Sequence, residues 1–588
     1  MRRARAACAA SETRCPVAST APSCALVAPD SEVMTVSVRL RTRGPVPRQA
    51  PLPSRFRLPL VAWLAGVLTL LGAADGERLL AQVVSPSQRL SRDVTQPPPS
   101  LPAVLTRDPG AVSSRRPHVA VSGTTSSPAA PTVNVVWEEL FDDHWGVVQL
   151  AGPCSVGQLD PLWEPNARRL DLPAPTGTVN ALAPQVATWD SGHPAVHVVW
   201  REVAEGGQRI VATMSPTGGV GGWTTPVALG PTAAFVSAPV ICTQDIGGTR
   251  HVFVAWTQKD DADDWDEREN LRLAISTNGG LSFAPPQTIP TPLGRALLPT
   301  VSPGVTPGEV YLAWVDQDDD LTSGGYRVVL QRRDLLGPAG GFHVIASAPL
   351  PQALTELWMV TAPSHDGALL LWNADIHVQR SVWYRDGADS VDALPDLVGP
   401  GAIPLQGDAS LAVDDGAGLV VCVFSRALDA FAAPLLNLSR VLDLSPLPAQ
   451  PPSWVTAGPA GGLATVSTMN APGISRTVPQ VAIADGEAVA VWMEATPGYA
   501  GDFDVFAATA TVSATPTWSA PVSVTSKPAT LPGTAEARSG SPRLVVAPGR
   551  ALVVWDDRRD WSLPLPDTHA PSSGARGAPN VHASLVDF

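Results

Sequence analysis

The chain has 588 residues, of which 16% are charged, and it carries 49 glycines and 61 prolines. That mixture of apolar residues and turn formers suits many short strands joined by tight turns, and no segment after residue 74 holds apolar residues at helical spacing. The formal charge is −14 and the basic residues concentrate in the first 57 positions, so the body is acidic. This excludes sequence-independent nucleic-acid binding through phosphate neutralisation and leaves cations, neutral glycans or plain solubility.

The N-terminal stretch has the form of an export signal. Arg55-Phe56-Arg57 precedes an apolar run, 58–71, and Gly72-Ala73-Ala74 follows it as a small-residue exit. A basic flank, an apolar core and a small-residue site form the signal-peptide pattern, so 1–74 is predicted to be a leader that sends the chain to the periplasm, cell surface or medium. An uncleaved N-terminal anchor is the alternative, and Met34 is an alternative start. A mature chain cut after the run has no membrane span. Cys8, Cys15 and Cys24 fall in the leader, while Cys154, Cys242 and Cys422 remain, with the spacing of neither a zinc site nor a disulfide framework. Residues 75–115, which include Pro97-Pro98-Pro99, read as a linker. Within it Leu79-Leu80-Ala81-Gln82-Val83-Val84 has the pattern of a strand.

From about residue 116 one unit recurs. Its centre is an apolar strand ending in an aromatic residue followed by polar or acidic ones. Trp137, Trp200, Trp256, Trp314, Trp372, Trp492 and Trp555 close seven copies and Phe424 an eighth, with a period of about 60 residues. A second strand precedes most copies and is expected to begin at a proline (Pro117, Pro184, Pro239, Pro299, Pro479, Pro542), where no ladder donor is lost. Further strands follow, as in Leu271–Ser276 and the segments around Trp223 and Trp518. Four short strands per repeat make one blade, and blades bury their faces only against one another. The predicted fold is all-β: a β-propeller of four-stranded blades over 116–588, about eight in number. Seven is the alternative, because the repeats near 346–375 and 408–445 are irregular. The last repeat lacks an outer strand, and 79–84 is the expected donor that closes the ring and removes an unpaired edge.

A turn within the third repeat carries a family resemblance. Ser276, Asn278, Gly280, Ser282 and Phe283 stand at the spacing of the Asp-box, Ser-x-Asp-x-Gly-x-Thr-Trp, and the chain resembles the sialidase-like propellers that repeat that box. The resemblance implies that the box is a structural hairpin turn on the outer edge of a blade, far from the axis. Asn278-Gly279 is the pair expected to take positive φ there. It also implies, for a catalytic member, three arginines clamping a carboxylate near the axis, a tyrosine nucleophile activated by a glutamate, and an aspartate acid/base. Arg115 has the Arg-x-Pro spacing of the first of these arginines, and Arg295, Arg476 and Arg538 precede other blades. Of Tyr311, Tyr326, Tyr384 and Tyr499, none has an assignable glutamate.

Two acidic features remain. Asp316, Asp318 and Asp320 alternate and would aim three carboxylates at one Ca²⁺, although the loop lacks the glycine and distal glutamate of an EF-hand and a solvated loop is the competing reading. No other cofactor is expected. Glu138, Glu202, Glu494, Asp556 and Asp557 follow Trp strands and either cap the next turn or form one functional rim. The recurring Trp itself is expected to pack between blades. With no catalytic set identified, the expected function is a non-catalytic binding or scaffold module, a monomer, with a glycan or extracellular protein as ligand. The alternative is an exo-acting glycoside hydrolase with an axial site.

Overall fold

A computed structural model describes residues 83–84, 88–89 and most of 114–587. It leaves out 1–82, 85–87, 90–113, 123–130, 142–143, 154–167, 172–178, 190–193, 261–268, 292–293, 319–324, 336–338, 350–355, 376–377, 398–408, 428–434, 446–450, 457–461, 469–477, 496–502, 525–538, 558–579 and 588. The predicted leader therefore lies outside the described residues.

The described strands form eight antiparallel sheets, one per sequence repeat. Taken in chain order as blades 1 to 8, their inner strands are Ser114–Ser122, Asn180–Trp189, Val240–Ile246, Gly294–Pro303, Leu357–Ala362, Ala409–Asp414, Gln480–Ala484 and Ser539–Ala547. Each inner strand touches the next, and the last touches the first, which closes a ring of eight. The aromatic-ending strands are second in each blade, and both of their faces meet a neighbouring blade. This is why they read as continuous apolar runs rather than alternating ones. In Thr132–Phe141 every residue from Val133 to Glu139 is buried. The core is a set of clusters in the gaps between blades. Val133, Val135 and Trp137 of blade 1 pack with Leu552, Val554 and Val581 of blade 8, so the closing gap is filled like the others.

Trp137, Trp200, Trp256, Trp314, Trp492 and Trp555 are fully buried, as expected for packing residues. The two irregular repeats are complete sheets. In blade 6 Phe424 replaces the recurring Trp, and Trp383 and Trp454 supply bulk to the same cluster from elsewhere in blades 5 and 6. Blade 8 takes its outermost strand from the N-terminal side, as the fold required. Val83 pairs with Asp587 and Val84 with Val586, and Gln88–Arg89 then pairs with Ala583 and His582. The donor is thus the end of the expected 79–84 segment plus a second short piece.

The prolines need a correction. Pro239 and Pro479 directly precede their strands, but Pro117, Pro184, Pro299 and Pro542 lie inside theirs. At each of the four the ladder slips, between Arg115 and His118, Leu182 and Gln185, Leu297 and Thr300, and Gly540 and Arg543. A bulge leaves residues unpaired, so a proline there costs no ladder bond. The residue before the proline has positive φ at Arg116 (53°), Ala183 (53°), Leu298 (50°) and Val478 (42°), a left-handed conformation unusual for side chains of this size. Each bulge lies opposite the aromatic end of the second strand, and the strand's first residues turn back toward the polar positions beyond the Trp.

Candidate functional site

In an up-and-down blade, the second-to-third and fourth-to-next-first connections open on one rim. The remaining turns open on the other. The bulged starts of the inner strands and the polar ends of the Trp strands therefore meet on the first rim, close to the ring of inner strands. Between blades 1 and 2 this meeting is most charged. Glu138, one residue beyond Trp137, is fully buried. It accepts Arg115 Nε at 2.6 Å, Arg116 Nη1 at 3.2 Å and the backbone N–H of Ala183 at 2.7 Å. One carboxylate thus binds the bulge residue of its own blade, Arg116, and that of the next, Ala183. Arg115 also lies over the Trp145 ring, 3.8 Å from its centroid, and Trp145 is held by its backbone N–H on Asn180 Oδ1 at 2.9 Å.

Arg201 completes the group. It stands one residue beyond Trp200, the place Glu138 holds in blade 1, and its Nη1 donates to Val236 O of blade 3 at 3.0 Å. Burial, then the positive charge of Arg116, push its pKa below the usual arginine value, against the pull of Glu138. Its buried Nε has no hydrogen-bond partner among the described residues. Two guanidinium groups therefore bond one carboxylate, and a third, Arg201, lies near enough to feel its charge. The surplus of positive charge sits in an otherwise acidic molecule, and the Arg116 side chain is 58% exposed.

Of the other arginines singled out by sequence, Arg295 does not join this group. Arg295 lies on the inner strand of blade 4 and pairs with Glu269 at 2.5 Å. Arg476 and Arg538 fall outside the described residues. Arg116 and Arg201 were not singled out by sequence. The available signal was a basic residue in the post-Trp position, which is acidic only at Glu138 and Asp556, and it was masked by the mixed polarity of that position.

Several polar residues after the Trp strands serve the Trp itself. Trp137 Nε1 donates to Glu139 Oε2 at 3.0 Å, Trp256 Nε1 to Gln258 Oε1 at 2.9 Å and Trp492 Nε1 to Glu494 Oε2 at 3.1 Å. Two residues along a strand return to the same face, so this position caps the buried indole. Glu202 binds Arg209 instead. Asp316 stands two residues beyond Trp314 in blade 4 and is fully buried, without taking the indole N–H. Nothing is described of the Asp318 side chain, and Asp320 lies outside the described residues. Among the described residues no group of three or more His, Cys, Asp or Glu is placed to hold a metal.

The box-like turn sits on the opposite rim, between the third and fourth strands of blade 3. Ser276 Oγ accepts the Gly280 N–H at 2.8 Å and donates to Asn278 Oδ1 at 2.9 Å, and Asn278 Oδ1 accepts the Ser282 N–H at 3.0 Å. The left-handed pair is Gly279 (φ 72°) and Gly280 (φ 84°), not Asn278-Gly279. Blade 2 repeats the turn without the asparagine. Ser215 Oγ accepts the Gly219 N–H at 3.1 Å, with Gly218 (φ 72°) and Gly219 (φ 88°) as the pair. Tyr326 stands at the start of the third strand of blade 4 and Tyr499 lies outside the described residues. Tyr311 and Tyr384 are fully buried and pack edge to face between blades 4 and 5. Burial, above all, pushes both phenols up out of the ordinary range. Cys242 and Cys422 are buried thiols raised by burial, as structural cysteines are.

No family model and no curated protein matches the sequence. Among solved structures, a puromycin hydrolase is similar over 74% of this chain, at 14% identity and a TM-score of 0.34. The chain spans 58% of that protein's length. A fucose-specific lectin from Aleuria aurantia is similar over 59% of this chain and 96% of its own, at 10% identity and a TM-score of 0.31. The α-L-arabinofuranosidase Arb93A from Fusarium graminearum, in complex with an iminosugar inhibitor, is similar over 56% of this chain and 92% of its own, at 10% identity and a TM-score of 0.32. Likenesses this distant carry no information about ligand or activity.

Proposed function

We propose that the chain is an exported, non-catalytic binding propeller whose arginine-bearing rim, between blades 1 and 2, receives an anionic group such as the carboxylate of an acidic glycan. The observation that carries this reading is the set of Arg115, Arg116 and Arg201 around the single buried carboxylate of Glu138. Guanidinium forks suit carboxylates, and here they keep donors beyond those that Glu138 uses. Trp145, beside Arg115, adds an aromatic surface of the kind sugars stack on. Export is supported by the basic, apolar and small-residue order of 55–74. Kinship with the sialidase-like propellers is supported by the box-like turn at 276–283.

A hydrolase at this rim would need a second carboxylate with a free lone pair beside the arginines. Glu138 is occupied by three donors, Glu139 by an indole and Glu269 by Arg295. The test is calorimetric titration of the full chain with oligo-uronates and with neutral oligosaccharides of the same length. Acidic ligands are expected to bind, and Arg116→Ala to weaken them about tenfold, the worth of one charge-assisted contact. Equal binding of both ligand sets, or turnover of a fluorogenic glycoside, overturns the reading.

A further inference from the structure

On the opposite rim, a cleft of about 550 Å³ separates the outer edges of blades 3 and 4. Blade 3 contributes Phe283 and Ile275 from either side of its box-like turn, with Gln287 behind them. Blade 4 contributes Arg333, Asp334 and Leu335 from the end of its third strand. The cleft falls in the size range of small-molecule sites. It combines one aromatic ring with a convergent set of polar groups.

The position of Arg333 is unlike that of its neighbours. Arg332 pairs with Asp386 and Glu309, and Arg272 pairs with Asp260. Arg333 reaches across the blade boundary and donates Nη2 to the Gln287 carboxamide, a neutral acceptor. Among the described residues it has no carboxylate partner. Burial lowers its pKa from the free value. A half-buried cation held in place by an uncharged group, at the wall of a cleft in an acidic protein, is arranged to meet an anion from outside.

We propose that this cleft is a second saccharide site, seating one carboxylated sugar unit with its ring against Phe283 and its carboxylate on Arg333. The ligand class rests on the acidic-glycan reading of the first rim, but the residues are different and lie on the opposite rim.

D-glucuronic acid is the probe, with D-glucose as its neutral counterpart, titrated into the full chain and followed by ligand-observed NMR and calorimetry to about 20 mM, the range of weak single-sugar contacts. Two glucuronate sites are expected in the unaltered chain. Arg333→Ala should abolish one of them, and Gln287→Glu should weaken the same site about tenfold, because the new carboxylate takes up Arg333. Gln287→Glu keeps the shape of the wall, so its effect is not one of misfolding. In Arg116→Ala the outer site should persist alone. The proposal is overturned if Arg116→Ala removes all glucuronate binding, if Arg333→Ala and Gln287→Glu leave it unchanged, or if glucose binds the outer site as well as glucuronate does. If Arg116→Ala changes nothing while Arg333→Ala removes binding, the first-rim reading fails and the outer site stands.

Discussion

Glu494 and Gln258 do the same work in different blades, each accepting an indole N–H from the Trp two residues earlier. Only Glu494 carries a charge. Burial, opposed by the Trp492 hydrogen bond, raises its pKa above the usual carboxylate value. A raised carboxyl favours the native state below the unfolded pKa, and that advantage is lost as pH rises through the native value. At pH 7 the group is therefore a liability that an amide would remove while keeping the acceptor. Glu494→Gln is expected to raise the denaturant midpoint slightly at pH 7 and to leave it unchanged near pH 4. Denaturant midpoints at the two pH values measure this.

His197 has the opposite sign. It is buried between blades 2 and 3, and burial, then the charge of Arg250, lower its pKa from 6.5 to about 4. The native ring is neutral, whereas the unfolded ring takes up a proton below 6.5. Stability is therefore complete above pH 6.5 and is lost as pH falls toward 4. The loss should reach about 2 kcal/mol by pH 5. His118, lowered to about 3 mainly by burial, acts in the same direction. His197→Asn, which installs the residue found at that place in blade 1, should reduce the acid slope of stability without removing it. An unchanged slope would contradict the assignment.

At the level of the element, the box-like turn explains why His197 is where it is. A Cβ on Gly280 would lie 2.6 Å from His197 Nδ1, and one on Gly219 would overlap the Asn134 carboxamide. Asn134 and His197 hold the same place, three residues before the Trp, in consecutive blades. The second glycine of each turn therefore seats on the neighbouring blade, which ties a local hairpin to inter-blade packing. Gly280→Ala combines left-handed strain with this clash and should cost about 2–4 kcal/mol, read as a fall in the unfolding midpoint. His197→Asn should recover part of that loss by making room.

The same elements show where sequence was informative. The Trp strands were legible because burial on both faces forces a continuous apolar run. The blade 2 turn was only faintly so, because Thr217 stands where Asn278 gives the box its signature, although the Ser215 hydroxyl and the glycine pair do the same work. The bulges were hidden because a proline marks a break in a ladder without saying on which side the strand continues. Arg116 and Arg201 were hidden for a related reason. The bond from Arg116 to Glu138 and the approach of Arg201 to that pair depend on a register slip in each inner strand and on contact between blades, neither of which is local in sequence.

For the whole molecule, the decisive contact is the one that makes the ring continuous. Seven blades draw all their strands from consecutive sequence, whereas blade 8 joins Asn580–Asp587 to Val83–Val84 and Gln88–Arg89. The pairing partners of these two short pieces, Ala583, His582, Val586 and Asp587, lie on the strand whose Val581, Ala583 and Leu585 fill the gap between blades 8 and 1. Loss of the donor would expose the backbone edge of that strand and loosen a core shared with the blade that carries the arginine rim. A chain beginning at residue 79 should thus keep its unfolding midpoint. One beginning at residue 91 should unfold at lower denaturant, with hydrogen exchange fastest over Asn580–Asp587 and then over Thr132–Phe141. It should also lose affinity at the first rim, because Arg115 and Arg116 stand on the inner strand that blade 8 packs against. If both truncated chains behave alike, closure is not what holds blades 1 and 8 together.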